Sequence, residues 1–142
     1  MYFPYDNLVV GAMVIVVGFV FHWLGQLTYL LNSEFAAKIG LVEPEILPEY
    51  EVYERAIAKA DVAIGWLYGI AGVGLILGTQ WGYKLAWFPG VVFVYHSISF
   101  WFWTENRRRA GHKLMSDVGR IGWFVANFIT GILAIAIAGK AN

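Results

Sequence analysis

The sequence predicts an all-α fold, a polytopic membrane protein in which four transmembrane helices form one bundle and the second helix extends into the cytoplasm. The chain has 142 residues, 59% of them hydrophobic and 14% charged, whereas soluble domains average about 25% charged residues. Its apolar stretches are also longer than the core helices of a small soluble domain require. At this length, residues 1–142 form a single membrane domain.

Composition excludes several classes of function. The formal net charge is zero, so no overall positive field would attract a nucleic acid. The chain contains no cysteine, which excludes disulfides, thiolate metal sites and cysteine nucleophiles. No Lys or Arg precedes the first apolar stretch, so we expect that stretch to be a span of the mature protein rather than a cleaved signal peptide.

The first span is predicted over residues 8–31, which contain no formal charge when the histidine is neutral. A helix of this length rises about 36 Å and crosses a hydrocarbon core of about 30 Å. Gly11, Gly18 and Gly25 recur every seven residues, and His22 lies on the same face. Because small residues mark close helix contacts in membranes, we expect His22 to point into protein.

A cytoplasmic segment is predicted over residues 32–60, followed by a second span over residues 61–79. Asn32 and Ser33 suit the N-terminal cap of a short helix that ends at Gly40. The second helix is expected to begin near Pro48, and its first part is amphipathic. Its apolar part has another face for close packing, formed by Asp61 with Gly65, Gly69 and Gly72.

The third and fourth spans are predicted over residues 84–103 and 118–138, joined by a basic cytoplasmic segment at 104–117. The third span ends in four aromatic residues, which is typical of a membrane interface. The fourth contains small residues at every fourth position, beginning with Gly122, so we expect a further packing face there.

Orientation follows from the basic residues. All Lys and Arg residues except Lys84 and Lys140 lie on one side of the predicted bundle. Positive charge is retained in the cytoplasm, so both chain ends are expected outside a prokaryotic inner or plasma membrane. The densest basic run is either a determinant of this topology or a site for anionic lipid head groups; it consists of Arg107, Arg108, Arg109 and Lys113.

Two histidines are predicted at the same depth. His22 lies fourteen residues after Leu8, and His96 lies twelve after Lys84, so both are about 18–21 Å from the outer surface. As a ligand pair they would hold a haem, a bacteriochlorophyll-type pigment or a quinone head group, or would share a metal with Asp61 or Glu105. The structural alternative is that each imidazole hydrogen-bonds to a neighbouring helix and fixes the packing.

A second polar layer is predicted one turn nearer the cytoplasm. Asp61 and Arg120 are expected to pair there, with Gln26 beside them. The pair would act as a proton or anion relay, or would be a purely structural ion pair. Asn127 lies seven residues after Arg120 on the same face and would extend the polar column or form an ordinary interhelical hydrogen bond.

The central part of the chain resembles the DoxX-like family of small membrane proteins. The resemblance covers about residues 60–100 and includes the stretch GLILG, Gly74–Gly78, at the end of a glycine-rich second helix. It implies four helices with a short turn between the second and third. It also implies a small subunit or partner of a membrane oxidoreductase, linked in some members to quinone. No functional residue is carried over from it.

Two hypotheses for function follow. The first is an accessory or structural subunit of a larger membrane complex, in contact with lipids and with other subunits or further copies of itself. It is favoured by the small size, the several packing faces and the lack of a catalytic motif, and for the same reason we expect the isolated chain not to be catalytic. The second is a redox or ligand-binding protein that uses His22 and His96.

Overall fold

The computed structural model describes residues 4–42, 48–112 and 115–141, which are helical apart from short turns and contain no strand. Four helices are long and apolar enough to cross a membrane, and we number these spans in chain order: Asp6–Leu31, Tyr50–Ile76, Gln80–Arg109 and Asp117–Ala138. The predicted all-α bundle of four candidate transmembrane helices is therefore confirmed.

The first span is not a uniform α-helix. It consists of α1 (Asp6–Met13), a π-helical segment (Val14–Leu24) and α2 (Gly25–Leu31). Sequence analysis did not predict the π-helical hydrogen bonding, a rare form that often occurs at functional sites. The segment still presents one continuous inner face, because Val14, Gly18 and His22 are all buried.

The segment after the first span folds as predicted. The Asn32 side chain accepts a hydrogen bond from the backbone N–H of Phe35 and caps α3 (Ser33–Lys38). The chain then turns at Gly40, whose φ of +78° favours glycine. The second span belongs to a continuous helix, α4 (Pro48–Ile76), of 29 residues. At about 43 Å it exceeds the hydrocarbon thickness, so the predicted extension is present.

The third span is longer than predicted. It consists of α5 (Gln80–Leu85), which the Thr79 side chain caps by accepting the backbone N–H of Gly82, and α6 (Trp87–Arg109). The last turn of α6 contains the arginine run, which sequence analysis placed in a loop. The fourth span is α7 (Asp117–Ala138), and the Ser116 hydroxyl caps its first turn.

The first and second spans approach each other through glycine. A Cβ atom added to Gly11 would lie 2.8 Å from the carbonyl oxygen of Gly72, and one added to Gly72 would lie 2.9 Å from the carbonyl oxygen of Gly11. Such distances require that the two backbones touch, as expected for small-residue contacts in membranes. Three further predicted glycines lie beneath aromatic rings of neighbouring helices or of their own helix: Gly18, Gly65 and Gly69.

The third and fourth spans use a contact that sequence analysis missed. A Cβ atom on Gly131 would lie 2.9 Å from the carbonyl oxygen of Gly90, so these two backbones also touch. Gly122, with which the predicted packing face of the fourth span begins, is exposed and a Cβ atom there would meet nothing within 4 Å. Gly25 is also not a close contact, since its added Cβ would only reach Leu41 at 4.0 Å.

The two ends of the bundle differ in charge. At one end, an ion pair between Asp6 and Lys140 joins the start of the first span to the residues just after the fourth. The other end carries Arg107, Arg108, Arg109 and Arg120, and we call it the arginine-rich end. Because the Asp6–Lys140 pair is formed, the described beginning and end of the chain lie on the same side of the bundle.

Candidate functional site

His22 and His96 meet inside the bundle. Their ring centroids are 4.4 Å apart and the two ring planes are nearly perpendicular, at 82°. His22 belongs to the π-helical segment and is 5% exposed, while His96 on α6 is half-buried. The structure thus places the two predicted histidines at one depth and in direct contact.

Asn127 fixes the orientation of His22. The Asn127 side-chain nitrogen donates to the carbonyl oxygen of Trp123 at 2.8 Å, so the side-chain oxygen is the atom that faces His22. His22 Nε2 lies 2.7 Å from that oxygen and must therefore donate a proton to it. Asn127 is fully buried. Its role is an interhelical hydrogen bond between the fourth and first spans, one of the two alternatives expected from the sequence.

Trp123 fixes His96 as a hydrogen-bond acceptor, whereas Asn127 fixes His22 as a donor. The indole N–H of Trp123 lies 3.3 Å from His96 Nε2. An indole nitrogen only donates, so His96 Nε2 must accept and carries no proton in this arrangement. Trp123 was not among the predicted site residues. The available signal was its position four residues before Asn127, on the same face of the fourth span.

We call His22, His96, Trp123 and Asn127 the histidine layer. Aromatic rings close it on several sides, since the ring centroids of Phe93 and Tyr68 lie 5.5 and 6.2 Å from that of His22. The ring of Phe100 lies 6.2 Å from that of His96. The layer is thus a small polar cluster inside an aromatic wall, and it joins the first, third and fourth spans.

The geometry restricts which cofactors the histidine pair could hold. The two rings touch, so no flat macrocycle of a haem or pigment fits between them in this arrangement. Both Nε2 atoms already have hydrogen-bond partners. A quinone head group would have to replace Trp123 as the partner of His96. Within residues 4–42, 48–112 and 115–141, no three His, Asp or Glu side chains are grouped closely enough for a metal ion.

The predicted pair of Asp61 with Arg120 is wrong. Arg120 is 4% exposed, and its partners lie on the third span. Its Nε donates to the Thr104 hydroxyl at 2.7 Å, and its Nη2 donates to Glu105 at 3.1 Å and to the Trp101 carbonyl at 3.2 Å. The guanidinium also lies 4.0 Å from the Trp101 ring centroid. The fourth span packs mainly on the third, which turns Arg120 away from the second.

We call Arg120, Glu105, Thr104 and Trp101 the arginine layer. Glu105 joins it to a second cation, because its other carboxylate oxygen accepts from Arg109 at 3.1 Å. The side chain of Glu105 is 34% exposed, whereas that of Arg120 is 5% exposed. The positive charge of the buried Arg120 side chain is thus balanced by the Glu105 carboxylate, which is itself partly exposed.

Asp61 and Gln26 remain outside both layers. Both are half-buried, and among the described residues neither side chain forms a hydrogen bond or an ion pair. Asp61 is next to Val62, whose carbonyl oxygen accepts the indole N–H of Trp23 at 3.0 Å. Tyr68 lies seven residues further along the same face of α4. The structure therefore places Asp61 near the first span and not near the fourth.

The arginine run is only partly available to lipid. Arg107 is 3% exposed and its guanidinium lies between the rings of Trp103 and Tyr50, at 4.8 and 5.2 Å from their centroids. The hypothesis that Arg107 binds lipid head groups is therefore wrong. Arg108 forms an ion pair with Asp117, and Arg109 forms one with Glu105. Lys113, the fourth predicted head-group residue, lies outside the described residues.

No family model, curated protein or solved structure matches this chain. The similarity to DoxX-like proteins therefore stays a prediction.

Proposed function

We propose that this chain is an accessory, structural subunit of a larger membrane assembly, and that the outer face of the third span contacts the partner. The observation that supports this proposal most directly is the exposure of Tyr95. Its side chain is 72% exposed, the most of any aromatic residue on α6. It points away from the bundle at a depth where lipid tails would surround it.

The depth of Tyr95 can be estimated by counting residues along the third span. It lies eight residues before Trp103 in the aromatic belt and eleven after Lys84, about 12 and 16 Å along the helix axis. Tyrosine favours the membrane interface, where its hydroxyl can reach water. At this depth the hydroxyl reaches neither interface. A hydroxyl left without a partner in hydrocarbon costs about 1–3 kcal/mol, which a polar group on a neighbouring helix would offset.

The residues around Tyr95 form a regular outer row. Val91, Ile98 and Phe102 are exposed by 55%, 44% and 62%. Together with Tyr95 they follow a spacing of four, three and four residues, which is the spacing of helices that pack along their length. We call these four residues the outer face of α6. It offers an apolar row with one hydroxyl at its centre, which suits a partner transmembrane helix.

The interior supports a structural rather than a catalytic role. The side-chain bond from His22 to Asn127 connects the first span to the fourth, and the bonds of Arg120 connect the fourth span to the third. These polar groups hold the bundle together. Because they already have protein partners, they are poorly placed to act on a substrate.

The orientation of the subunit in the membrane follows from the distribution of its charges. The arginine-rich end would face the cytoplasm, and both chain ends would lie outside a prokaryotic inner membrane. The partner is a membrane subunit or a second copy of this chain. The DoxX-like resemblance favours a membrane oxidoreductase as the assembly.

A photocrosslinking amino acid at Tyr95 tests the proposal in native membranes. The matched control is the same amino acid at Ile129, which is 46% exposed on the fourth span. We expect a protein adduct of defined mass from position 95 and lipid adducts alone from position 129. Lipid adducts alone from both positions would contradict the proposal. Native mass measurement of Tyr95→Phe should show weaker association, because the phenyl ring keeps the shape and loses the hydroxyl.

A second candidate function is the binding of a membrane-soluble ligand such as a quinone head group. It is favoured by one observation, that the bond between Trp123 and His96 is long, at 3.3 Å, and His96 is half-buried. A ligand carbonyl or hydroxyl could replace Trp123 there. Protein purified in mild detergent should then carry a bound chromophore or extractable quinone, and His96→Phe should remove it. Wild-type protein free of any bound small molecule would leave the subunit as the supported function.

A further inference from the structure

Asp61 is a carboxylate within a candidate membrane span. It lies fifteen residues before Ile76, the end of the second span, or about 22 Å along the axis, which is inside a hydrocarbon core of about 30 Å. Its side chain is half-buried, and among the described residues it has no hydrogen bond or ion pair. Carboxylates at such depth are costly and normally have a partner or a function.

The surroundings of Asp61 connect it to the bundle interior. Asp61, Gly65 and Tyr68 share the face of α4 that contacts the first span. A Cβ atom on Gly65 would lie 2.9 Å from the Trp23 ring and 3.3 Å from the Tyr68 ring, so both rings cover this glycine. The Tyr68 side chain therefore extends back along α4, over Gly65 and in the direction of Asp61.

The same tyrosine contacts the histidine layer. Its ring centroid lies 6.2 Å from that of His22, which in turn lies 4.4 Å from that of His96. Four titratable groups from three spans thus form a row, in the order Asp61, Tyr68, His22, His96. The charges of Arg120 and Glu105 are paired with each other on the third and fourth spans.

We propose that Asp61 is a proton-binding site within the bundle, and that Tyr68 transmits its protonation state to the histidine layer. The carboxylate takes one proton from water at the arginine-rich end and becomes a neutral carboxylic acid, and it releases the same proton to return. No other bond forms or breaks. The charged form attracts the Tyr68 hydroxyl proton, whereas the neutral form does not, so the hydroxyl changes orientation beside His22.

Carbon-13 labelling of the aspartate side chains tests this proposal in lipid nanodiscs. The chain contains three aspartates, Asp6, Asp61 and Asp117, so the carboxyl spectrum has three signals and Asp61→Asn assigns one of them. We expect the Asp61 signal to move from the carboxylate to the carboxylic acid position as the pH is lowered. Nitrogen-15 ring signals of His22 and His96 should shift with the same midpoint. Tyr68→Phe should reduce that histidine shift by at least half.

The following outcomes would each contradict one part of the proposal. An Asp61 signal that stays at the carboxylate position wherever the bundle is folded would show that no proton binds there, and one that stays at the carboxylic acid position would show that none is released. A titration without histidine shifts, or with shifts unchanged in Tyr68→Phe, would show that Tyr68 transmits nothing. If Asp61→Asn does not fold, Asp117→Asn and Lys140→Gln identify the other two signals, and Asp61 is assigned by elimination in otherwise wild-type protein.

Discussion

The histidine layer and the arginine layer bury polar side chains to the same extent by different chemistry. His22 is 5% exposed and Arg120 is 4% exposed. In the histidine layer the bonds join an imidazole to an amide and an indole to an imidazole, and none needs a charge. In the arginine layer a cation is buried together with a partly exposed carboxylate. The comparison shows that the deeper layer uses neutral groups and the layer nearer the end holds the charge.

The two layers also join different helices. The histidine layer connects the first, third and fourth spans, whereas the arginine layer connects only the third and fourth. Neither layer includes the second span, which is held instead by the backbone contact of Gly11 with Gly72 and by the bond from Trp23 to Val62. This difference explains how Asp61 on the second span is left outside both layers.

The largest predicted effect concerns the charge in the arginine layer. Glu105→Ala leaves the Arg120 guanidinium buried without its carboxylate, and we expect it to lower the free energy of unfolding more than any other change described here. The matched control is Arg109→Ala, which removes the other partner of Glu105, a side chain that is 76% exposed. The Arg109→Ala change should lower the free energy of unfolding by less than about 1 kcal/mol. Denaturation in mixed detergent measures both, and equal losses would show that burial of Arg120 does not matter.

A smaller effect is predicted for the neutral histidine layer. Asn127→Leu removes the acceptor of His22 and should destabilise the bundle by about 1–2 kcal/mol. Combining it with His22→Leu should cost less than the sum of the two single changes, because the second change removes the group left unpaired by the first. The same denaturation assay measures this cycle. Strict additivity would mean that the 2.7 Å bond contributes nothing to stability.

The smallest effect is predicted outside both layers, at Lys140. Partial burial, the largest single influence, lowers the pKa of its ammonium, but the hydrogen bond to Asp6 together with the attraction of Asp6 and Tyr83 outweighs burial, and the net effect raises the pKa above its usual value. The stabilising effect of this pair is therefore complete below about pH 10.4, the ordinary lysine pKa, and is lost as the pH rises through the folded-state value. We expect the melting temperatures of wild type and Lys140→Gln to converge as the pH rises through the folded-state pKa of Lys140. A constant difference between them would contradict this assignment.

Counting along the chain was enough to place the histidines. The first and third spans run in the same direction, and both were counted with the α-helical rise of about 1.5 Å per residue, although the structure has a π-helical segment around His22. Distance from the outer end therefore predicted that His22 and His96 share one depth. The contact between them, 4.4 Å from centroid to centroid, also needed both helices to turn those faces inward.

Pairing between helices was predicted less well. Arg120 and Asp61 lie at similar depths, yet Arg120 binds Glu105 on the third span. Likewise the close contact of the fourth span is Gly131 with Gly90, while the predicted Gly122 faces outward. Depth depends on one helix at a time, whereas a partner depends on how each helix is rotated about its own axis and which helix is its neighbour.

By itself the sequence determined that four helices are apolar enough to cross a membrane and which end is rich in arginine. These properties follow from local composition and from the need of a buried backbone to satisfy its own hydrogen bonds. Only the tertiary structure decided that Asn127 and Trp123 orient the histidines, that Glu105 compensates Arg120, and that Asp61 lies outside both layers. Such choices depend on contacts between residues distant in the chain, which side-chain packing selects.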